Sequence, residues 1–201
     1  PSPNHKVRSR WFQARAAWPI REAPVGIMQR ERIRSHLSSP PAAVATEWEL
    51  VGPTNIGGRM TCIVSHPADP DRIWAGAAGG GVVMRQALAA LLDDQSIQHI
   101  GSLAIDPQNP DILYCGTGEA NLSADSYAGV GLYRSINGGA SWTLLAPAES
   151  AGIPRRIGTI AIDPNDPLHI RIGGVGYGEP GGIFGGLYLS RDGGATWARE
   201  T

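Results

Sequence analysis

The chain has 201 residues, and 42% hydrophobic against 17% charged residues is the composition of a globular protein rather than a disordered one. Its 27 glycines and 16 prolines favour many short strands joined by tight turns. No apolar run reaches the ~18 residues of a membrane helix, so no membrane span is predicted. No secretory leader is visible, and because the chain begins with Pro1 rather than Met we expect it to be trimmed or a fragment.

The net charge is −1, but the charges are unevenly distributed along the chain. Residues 1–47 are therefore identified as a basic arm and linker. Residues 1–36 carry eight Lys or Arg against two acids, a balance of +6, whereas the rest of the chain has a balance of −7. A short helix is predicted near 25–37. Such an arm would contact nucleic acid or an anionic surface, or else lie on its own acidic body or in solvent. The second interpretation is favoured, because basic and aromatic residues do not alternate here, and we predict no nucleic-acid partner.

From Trp48 onward the sequence changes to short β strands that repeat. Three segments align without gaps on an Xaa-Pro turn: Arg59–Pro67, His99–Pro107 and Arg156–Pro164. After each turn come a second apolar run, a glycine-rich loop and a third run, and the second and third copies add a Ser…Trp turn and a short fourth strand. Self-similarity at this spacing indicates a repeat architecture, and four antiparallel strands per copy form one blade of a β-propeller.

The sequence therefore predicts an all-β propeller domain over residues 48–201, with four-stranded antiparallel blades. The three blades are placed at 59–94, 99–145 and 156–201, and residues 48–51 form a lone strand able to close the ring from the other end of the chain. Because a ring needs ~4–8 blades, we expect a part of a longer propeller or a ring completed by self-association. Bare strand edges would otherwise favour aggregation.

The cysteines and histidines give no sign of a disulfide framework or a metal centre. Cys62 and Cys115 both lie in apolar strand-like runs, which favours small buried hydrophobic residues over a bridge. The five histidines lack metal-ligand spacing, so we predict no metal and no cofactor. His66 stands where the other copies have the aspartate of the Asp-Pro turn, and is predicted to be a turn residue.

Two octads carry the most specific signal of the chain, Ser-Ile-Asn-Gly-Gly-Ala-Ser-Trp at 135–142 and Ser-Arg-Asp-Gly-Gly-Ala-Thr-Trp at 190–197. Their pattern, Ser-x-Asp-x-Gly-x-Thr-Trp, resembles the Asp-box or bacterial neuraminidase (BNR) repeat. The second octad matches fully, and the first has Asn137 and Ser141 in place of Asp and Thr. The first copy departs from the pattern at 85–93, where we expect the turn to be lost or replaced by a short helix.

The resemblance covers residues 48–201 and extends to Gly-Pro-Thr-Asn-Ile-Gly-Gly-Arg at 52–59, which is similar to the start of a large bacterial group of propellers. Members include sialidases, xyloglucan-type glycoside hydrolases, sortilin-like receptors and a photosystem assembly factor. The resemblance implies a bacterial protein that is secreted or in the cell envelope. It leaves function open, because one fold supports many activities.

The chemistry of the octads is that of a turn. An Asp or Asn there can accept bonds from backbone N–H groups two residues on, glycines supply positive φ, and the Trp covers the end of the hairpin. We therefore predict structural rather than catalytic roles for all of the box residues: Ser135, Asn137, Gly139, Trp142, Ser190, Asp192, Gly194 and Trp197.

Strand direction places the loops between second and third strands, and the links between blades, at one end of the propeller, here called the loop face. Binding residues concentrate on such loops. Glu119 and Glu179 follow a Gly-x-Gly at the same place in two blades, and the longer loop adds three further candidates. These are Asn121, Asp125 and Tyr127.

The first strands of the three blades begin on the loop face with Arg59, His99 and Arg156. Together they would suit a carboxylate, sulfate or phosphate ligand, through charge-assisted bonds. The alternative, which is favoured, is that each pairs with a neighbouring acid such as Glu119 or Glu179 and fixes a loop. The predicted ligand-binding residues are Arg59, His99, Arg156, Glu119, Asn121, Tyr127 and Glu179.

Two classes of function remain. The first is a binding or assembly module that recognises a glycan, peptide or anionic ligand on the loop face. The second is a glycoside hydrolase, sialidase-like or xyloglucanase-like, which needs two carboxylates ~5–10 Å apart, with Glu119, Asp125 and Glu179 as candidates. The resemblance argues against the enzyme, because xyloglucanase-like relatives carry an acid in an early Thr-Asp-x-Gly-Gly stretch, and residues 76–81 here have no carboxylate.

Overall fold

The computed structural model describes residues 59–84, 89–90, 95, 98–121, 126–176 and 185–200. The predicted arm at 1–47, the lone strand at 48–51, and the candidate carboxylates Asp125 and Glu179 lie outside the described residues. Within the described part of the chain, no helix is long and apolar enough to cross a membrane.

The described residues form three four-stranded antiparallel sheets, which confirms the predicted fold class. Blade 1 consists of β1 (Met60–Ser65), β2 (Ile73–Ala77), β3 (Val82–Met84) and β4 (Ala89–Ala90). Blade 2 consists of β5 (Ile100–Ile105), β6 (Leu113–Thr117), β7 (Gly131–Ser135) and β8 (Thr143–Pro147), and the short helix α1 (Ala148–Ala151) follows it. Blade 3 consists of β9 (Arg156–Ile162), β10 (Ile170–Val175), β11 (Gly186–Ser190) and β12 (Ala198–Arg199).

Blade 1 has a fourth strand that the sequence did not predict. The strand β4 pairs with β3, with Val83 opposite Ala90 and Met84 opposite Ala89. The chain is therefore extended at 89–90, where a short helix was one of the two expectations. A strand this short is set by hydrogen bonding to its neighbour rather than by its own alanines, which have low β propensity.

The first strands of the blades lie side by side, β1 against β5 and β5 against β9. Each is interrupted near its start by an irregularity in the register, between Met60 and Cys62 in blade 1 and between Ile100 and Ser102 in blade 2. Blade 3 has the same irregularity opposite Gly173 and Gly174. Bulges of this kind turn a strand and redirect its side chains, so all three blades bend at the loop face.

The core consists of two apolar layers, each between consecutive blades. The layer between blades 1 and 2 contains Trp74 and Val82 from blade 1, packed with Leu103, Cys115 and Tyr133 from blade 2. The layer between blades 2 and 3 is formed in the same way, from Tyr114, Leu132, Ile160, Ile172 and Tyr188. Fully burying an aliphatic or aromatic side chain stabilises the folded state by about 1.5–3 kcal/mol, so the blades are held together chiefly by these layers.

Both cysteines are free thiols in the layer between blades 1 and 2, as predicted. Burial raises the pKa of the Cys115 thiol well above its usual value, and burial also raises the pKa of Cys62. Both side chains are therefore in the thiol form at neutral pH and serve as small packing groups.

The Xaa-Pro turns at the far end of each blade share one arrangement. Asp106 accepts hydrogen bonds through Oδ1 from the backbone N–H groups of Gln108 and Asn109, at 2.8 and 3.1 Å. In blade 1 the Nδ1 atom of His66 takes the same role, accepting from the N–H groups of the two corresponding residues at 3.1 and 3.0 Å. The imidazole thus replaces the carboxylate as a turn acceptor, which confirms the prediction for His66.

Candidate functional site

The two box turns lie at the end of the blades opposite to the loop face. In blade 2, Ser135 Oγ accepts a hydrogen bond from the buried N–H of Gly139 at 2.8 Å, and Asn137 Oδ1 accepts from the N–H of Ser141 at 2.9 Å. The acceptor therefore reaches four residues on, rather than the predicted two. The longer reach arises because two positive-φ glycines, Gly138 and Gly139, widen the turn.

The turn in blade 3 has the same arrangement with a carboxylate in place of the amide. Asp192 accepts from the Thr196 hydroxyl at 2.5 Å, from the Thr196 N–H at 2.9 Å and from the Ser190 hydroxyl at 2.7 Å. These bonds, above all the one from the Thr196 hydroxyl, lower the pKa of Asp192 from 3.8 to about 2. An acceptor whose bonds are all made within its own turn has a role in holding that turn.

On the loop face, Arg59 and Glu119 join two blades. Arg59 precedes β1 of blade 1 and Glu119 follows β6 of blade 2. The guanidinium binds both carboxylate oxygens, Nη1 to Oε1 and, at 2.7 Å, Nη2 to Oε2. The Glu119 side chain is 1% exposed and that of Arg59 39%. This is the pairing that the sequence analysis favoured over direct ligand binding by Arg59.

His99 and Tyr127 form a stacked pair beside this ion pair. Their ring centroids lie 4.5 Å apart with an angle of 17° between the planes. His99 Nδ1 donates to the backbone oxygen of Ala78 at 2.7 Å, which fixes the ring, since a carbonyl can only accept. Tyr127 is 38% exposed. The His99 ring therefore covers one face of the Tyr127 ring, while Tyr127 remains partly exposed to solvent.

Asn121 completes the group on the loop that joins β6 to β7. Its side-chain amide donates to Glu119 Oε1 at 3.3 Å, and the residue is exposed. The N–H of Glu119 donates to the backbone oxygen of Tyr127 at 3.1 Å, so the two sides of this loop are tied together at its base. The structure thus brings together four of the predicted residues around Glu119: Arg59, His99, Asn121 and Tyr127.

Two further residues hold this loop and were not singled out from the sequence. Thr117 Oγ1, fully buried, accepts from the N–H groups of Val130 and Gly131 at 2.9 and 3.0 Å. Gly118 has φ +78°, and a Cβ there would lie 2.1 Å from the backbone oxygen of Arg155, so only glycine fits. Both belong to the Gly-Thr-Gly-Glu segment, and a buried threonine beside a loop is the signal that marks such an anchor.

Arg156 begins β9, with Val175 opposite it. It occupies the position of Arg59 and His99 in its own blade, and its side chain is half-buried. The backbone at each strand start is hydrogen-bonded to a loop: Ala78 N–H donates to Arg59 O, Gly118 N–H to His99 O, and Gly129 N–H to Arg155 O, next to Arg156. In the described ranges no group of three or more His, Cys, Asp or Glu side chains is placed to hold a metal ion.

No protein-family model matches this sequence, and no curated protein matches it. Among solved structures the chain is similar to an ancestral GH74 enzyme, with 20% identity and a TM-score of 0.55 over 71% of this chain and 18% of that one. It is also similar to the GH74 xyloglucanase from Xanthomonas campestris, with 26% identity and a TM-score of 0.50 over 71% of this chain and 21% of that one.

A third similar structure is YCF48 from Cyanidioschyzon merolae, with 15% identity and a TM-score of 0.45 over 72% of this chain and 41% of that one. The two GH74 enzymes are β-propeller proteins, and the fold of this chain is a propeller fold. The chain spans about a fifth of the length of the two GH74 enzymes. Fold similarity at this level does not carry an activity with it.

Proposed function

We propose that this propeller is a binding or assembly module that recognises a glycan, peptide or anionic ligand on its loop face. The observation that carries the proposal is the stacked pair of His99 and Tyr127, whose outer ring is 38% exposed although it is large and apolar. A ring fixed by a stacked partner loses little conformational entropy when a ligand covers it.

Of these three ligand classes, the polar groups around this ring favour a glycan or a peptide over an anion, because they fit a ligand with an uncharged planar or apolar face. Arg59, the cation nearest to Glu119, already has its charge balanced by that buried carboxylate. Asn121 carries amide donors and a carbonyl acceptor at the edge of the site. An aromatic platform with an amide beside it suits the apolar face and hydroxyls of a sugar, or a peptide plane and its side chain.

A glycoside hydrolase is the second candidate, and the similar GH74 structures favour it. Against it, both oxygens of Glu119 are bound by one guanidinium, so this carboxylate is poorly placed to exchange a proton with a glycosidic oxygen. The turn after β2, next to His99, contains Ala78, Gly79 and Gly80, and so brings no carboxylate to this part of the loop face. Binding is therefore the better supported function.

The test is a screen of glycan and peptide arrays with the wild type, Tyr127→Ala and Arg156→Ala, with sugar release measured in the same samples. Leu168→Ala is the control, because Leu168 is exposed at the opposite end of blade 3. We expect the wild type to bind a ligand without cleaving it, and we expect Tyr127→Ala to lose this binding and Leu168→Ala to retain it. Binding that Tyr127→Ala and Arg156→Ala both retain would contradict the assigned site. Sugar release that Glu119→Gln removes would establish the hydrolase instead.

A further inference from the structure

The box turn of blade 2 contains the dipeptide Asn137-Gly138, whose equivalent in blade 3 is Asp192-Gly193. An asparagine followed by glycine is prone to deamidation, because glycine has no side chain to hinder the attack of its own backbone nitrogen on the asparagine amide. Asn137 is exposed and Gly138 is buried. This dipeptide is therefore a candidate site of covalent modification, and the contacts of the turn decide whether it reacts.

Both reacting groups are held by hydrogen bonds in the folded chain. The Gly138 N–H, which has to lose its proton before the nitrogen can attack, donates to the backbone oxygen of Asp111 at 2.8 Å. The Asn137 Oδ1 atom accepts from the Ser141 N–H and from the Ser135 hydroxyl, each at 2.9 Å. The Asn137 Nδ2 atom donates to the Ser141 hydroxyl, also at 2.9 Å. The reaction therefore requires the turn to open first.

Blade 1 holds the same turn from across the boundary between the blades. The Trp74 Nε1–H donates to the backbone oxygen of Gly138 at 3.0 Å, in a buried bond. The Arg72 guanidinium lies 5.2 Å from the centre of the Trp74 ring, and its Nη2 atom is 3.4 Å from Asp111 Oδ1. Arg72 also lies close to the glycine, because a Cβ at Gly138 would be 2.6 Å from that nitrogen. Opening the box turn of blade 2 therefore requires contacts with blade 1 to break.

We infer that Asn137 is a deamidation site that the contact between blades 1 and 2 keeps closed, and that it reacts when this boundary opens locally. In the open turn the Gly138 nitrogen loses its proton to hydroxide and attacks Cγ of Asn137. A bond forms from that nitrogen to Cγ, the bond from Cγ to Nδ2 breaks, and Nδ2 takes up a proton from water and leaves as ammonia. Water then hydrolyses the cyclic imide to aspartate or isoaspartate, so the net change is the addition of water and the loss of ammonia.

The two products fit the turn differently. Aspartate at position 137 completes the box pattern, and blade 3 shows how it fits, because Asp192 accepts from the Thr196 N–H and the Ser190 hydroxyl. Isoaspartate carries the main chain through Cγ and so adds a methylene group to the backbone of the turn. The Asn137 reaction therefore either leaves blade 2 with a charged, intact box turn or prevents the turn from forming again.

The test compares the rate of deamidation at Asn137 in the folded 201-residue chain with the rate in guanidinium chloride, at the same pH and temperature. Peptide mapping by mass spectrometry measures both rates. The folded wild type is expected to react more slowly than the denatured chain by more than about tenfold, because only the open fraction of the folded chain reacts. Equal rates would overturn the inference, and so would an Asn137 that does not react in the denatured chain.

Variants of blade 1 test whether the boundary closes the site. Trp74→Phe keeps an aromatic ring but removes the donor to Gly138, and is expected to raise the rate in the folded chain by about three- to tenfold without changing it in denaturant. Trp197→Phe is the matched control, because it removes an indole N–H that donates to the backbone oxygen of Gly194 in the other box turn, at 2.9 Å. It is expected to leave the rate at Asn137 unchanged.

Arg72→Gln is a second, milder variant, since the Arg72 side chain is 25% exposed. It removes the ion pair with Asp111 and is expected to raise the rate in the same direction as Trp74→Phe. Circular dichroism checks that each variant folds. If folded Trp74→Phe and Arg72→Gln both react at the wild-type rate, blade 1 does not keep the site closed and the inference is wrong.

Discussion

Arg59 and Glu119 form a two-pronged ion pair across the boundary between blades 1 and 2, with the carboxylate buried and the guanidinium partly exposed. Glu119 also accepts a bond from the Asn121 amide, and its backbone N–H donates to the backbone oxygen of Tyr127, so the ion pair is joined to the proposed binding site. The two partners differ in burial, 1% against 39%, and that difference makes their removal unequal.

We therefore predict that Arg59→Met is more destabilising than Glu119→Gln. The first leaves the buried carboxylate with the Asn121 amide but without its cation, which costs about 3–5 kcal/mol. The second leaves a guanidinium that water can reach and costs about 1–2 kcal/mol. Urea unfolding of both variants, and of the double variant, measures this. A larger loss for Glu119→Gln would mean that the ion pair does not govern the stability of this boundary.

Tyr127→Ala is expected to reduce ligand affinity by about 1–3 kcal/mol without a matching loss of stability, because the ring is exposed and stacks on one neighbour only among the described ring contacts. Tyr127→Phe retains the ring and is expected to bind almost as well as the wild type. Titration of the best ligand from the array screen, with thermal melts of the same samples, separates the two effects. Equal losses for Ala and Phe would assign the contact to the hydroxyl instead of the ring.

Asp192 makes stability depend on pH in one direction. Its pKa in the folded chain, about 2, lies below the ordinary 3.8, because the Thr196 and Ser190 hydroxyls and the Thr196 N–H bind its charged form. The stabilisation is therefore present above about pH 4 and is lost as the pH falls through about 2. In Asp192→Asn, the melting temperature is expected to fall less steeply over that range than in the wild type, as calorimetry would show.

The natural control for this prediction is blade 2, which has Asn137 in the same turn with the same acceptor bond to the N–H of Ser141. Asn137→Asp is expected to add a second acid-sensitive turn, so that the melting temperature falls more steeply between about pH 4 and pH 2 than in the wild type. If neither variant alters how the melting temperature depends on pH between about pH 4 and pH 2, the carboxylate bonds of Asp192 are not coupled to folding.

The two box tryptophans are predicted to affect stability and not ligand binding. Trp142 is buried in the layer between blades 1 and 2, so Trp142→Ala is expected to cost about 3–5 kcal/mol. Trp197 is only partly buried against the second layer, and Trp197→Ala is expected to cost less. Both lie at the end opposite to the loop face, so a variant that folds should retain its ligand affinity. Chemical denaturation and ligand titration of both variants give the comparison.

The blade architecture could be predicted from the sequence because it depends on signals that are local in the chain. The turns between first and second strands, and between third and fourth strands in blades 2 and 3, are short, and the Xaa-Pro and box signals place those turns in the chain. Aligning the copies therefore identified Ile63, Leu103 and Ile160 as one position. The strand β4 was missed because residues 85–93 carry no turn signal, and the strand exists only through its bonds to β3.

The site was readable only in part, since the sequence placed Arg59, His99, Glu119, Asn121 and Tyr127 at one end of the propeller by strand direction alone. Which of them pair with each other depends on tertiary contacts, between blades 1 and 2 for Arg59 with Glu119 and within blade 2 for His99 with Tyr127. The bond from Arg59 to Glu119 and the stacking of Tyr127 on His99 join residues that are distant in the chain. Tertiary packing decided these pairings, because the burial of Glu119 requires a cation beside it and the rotation between blades determines which cation that is.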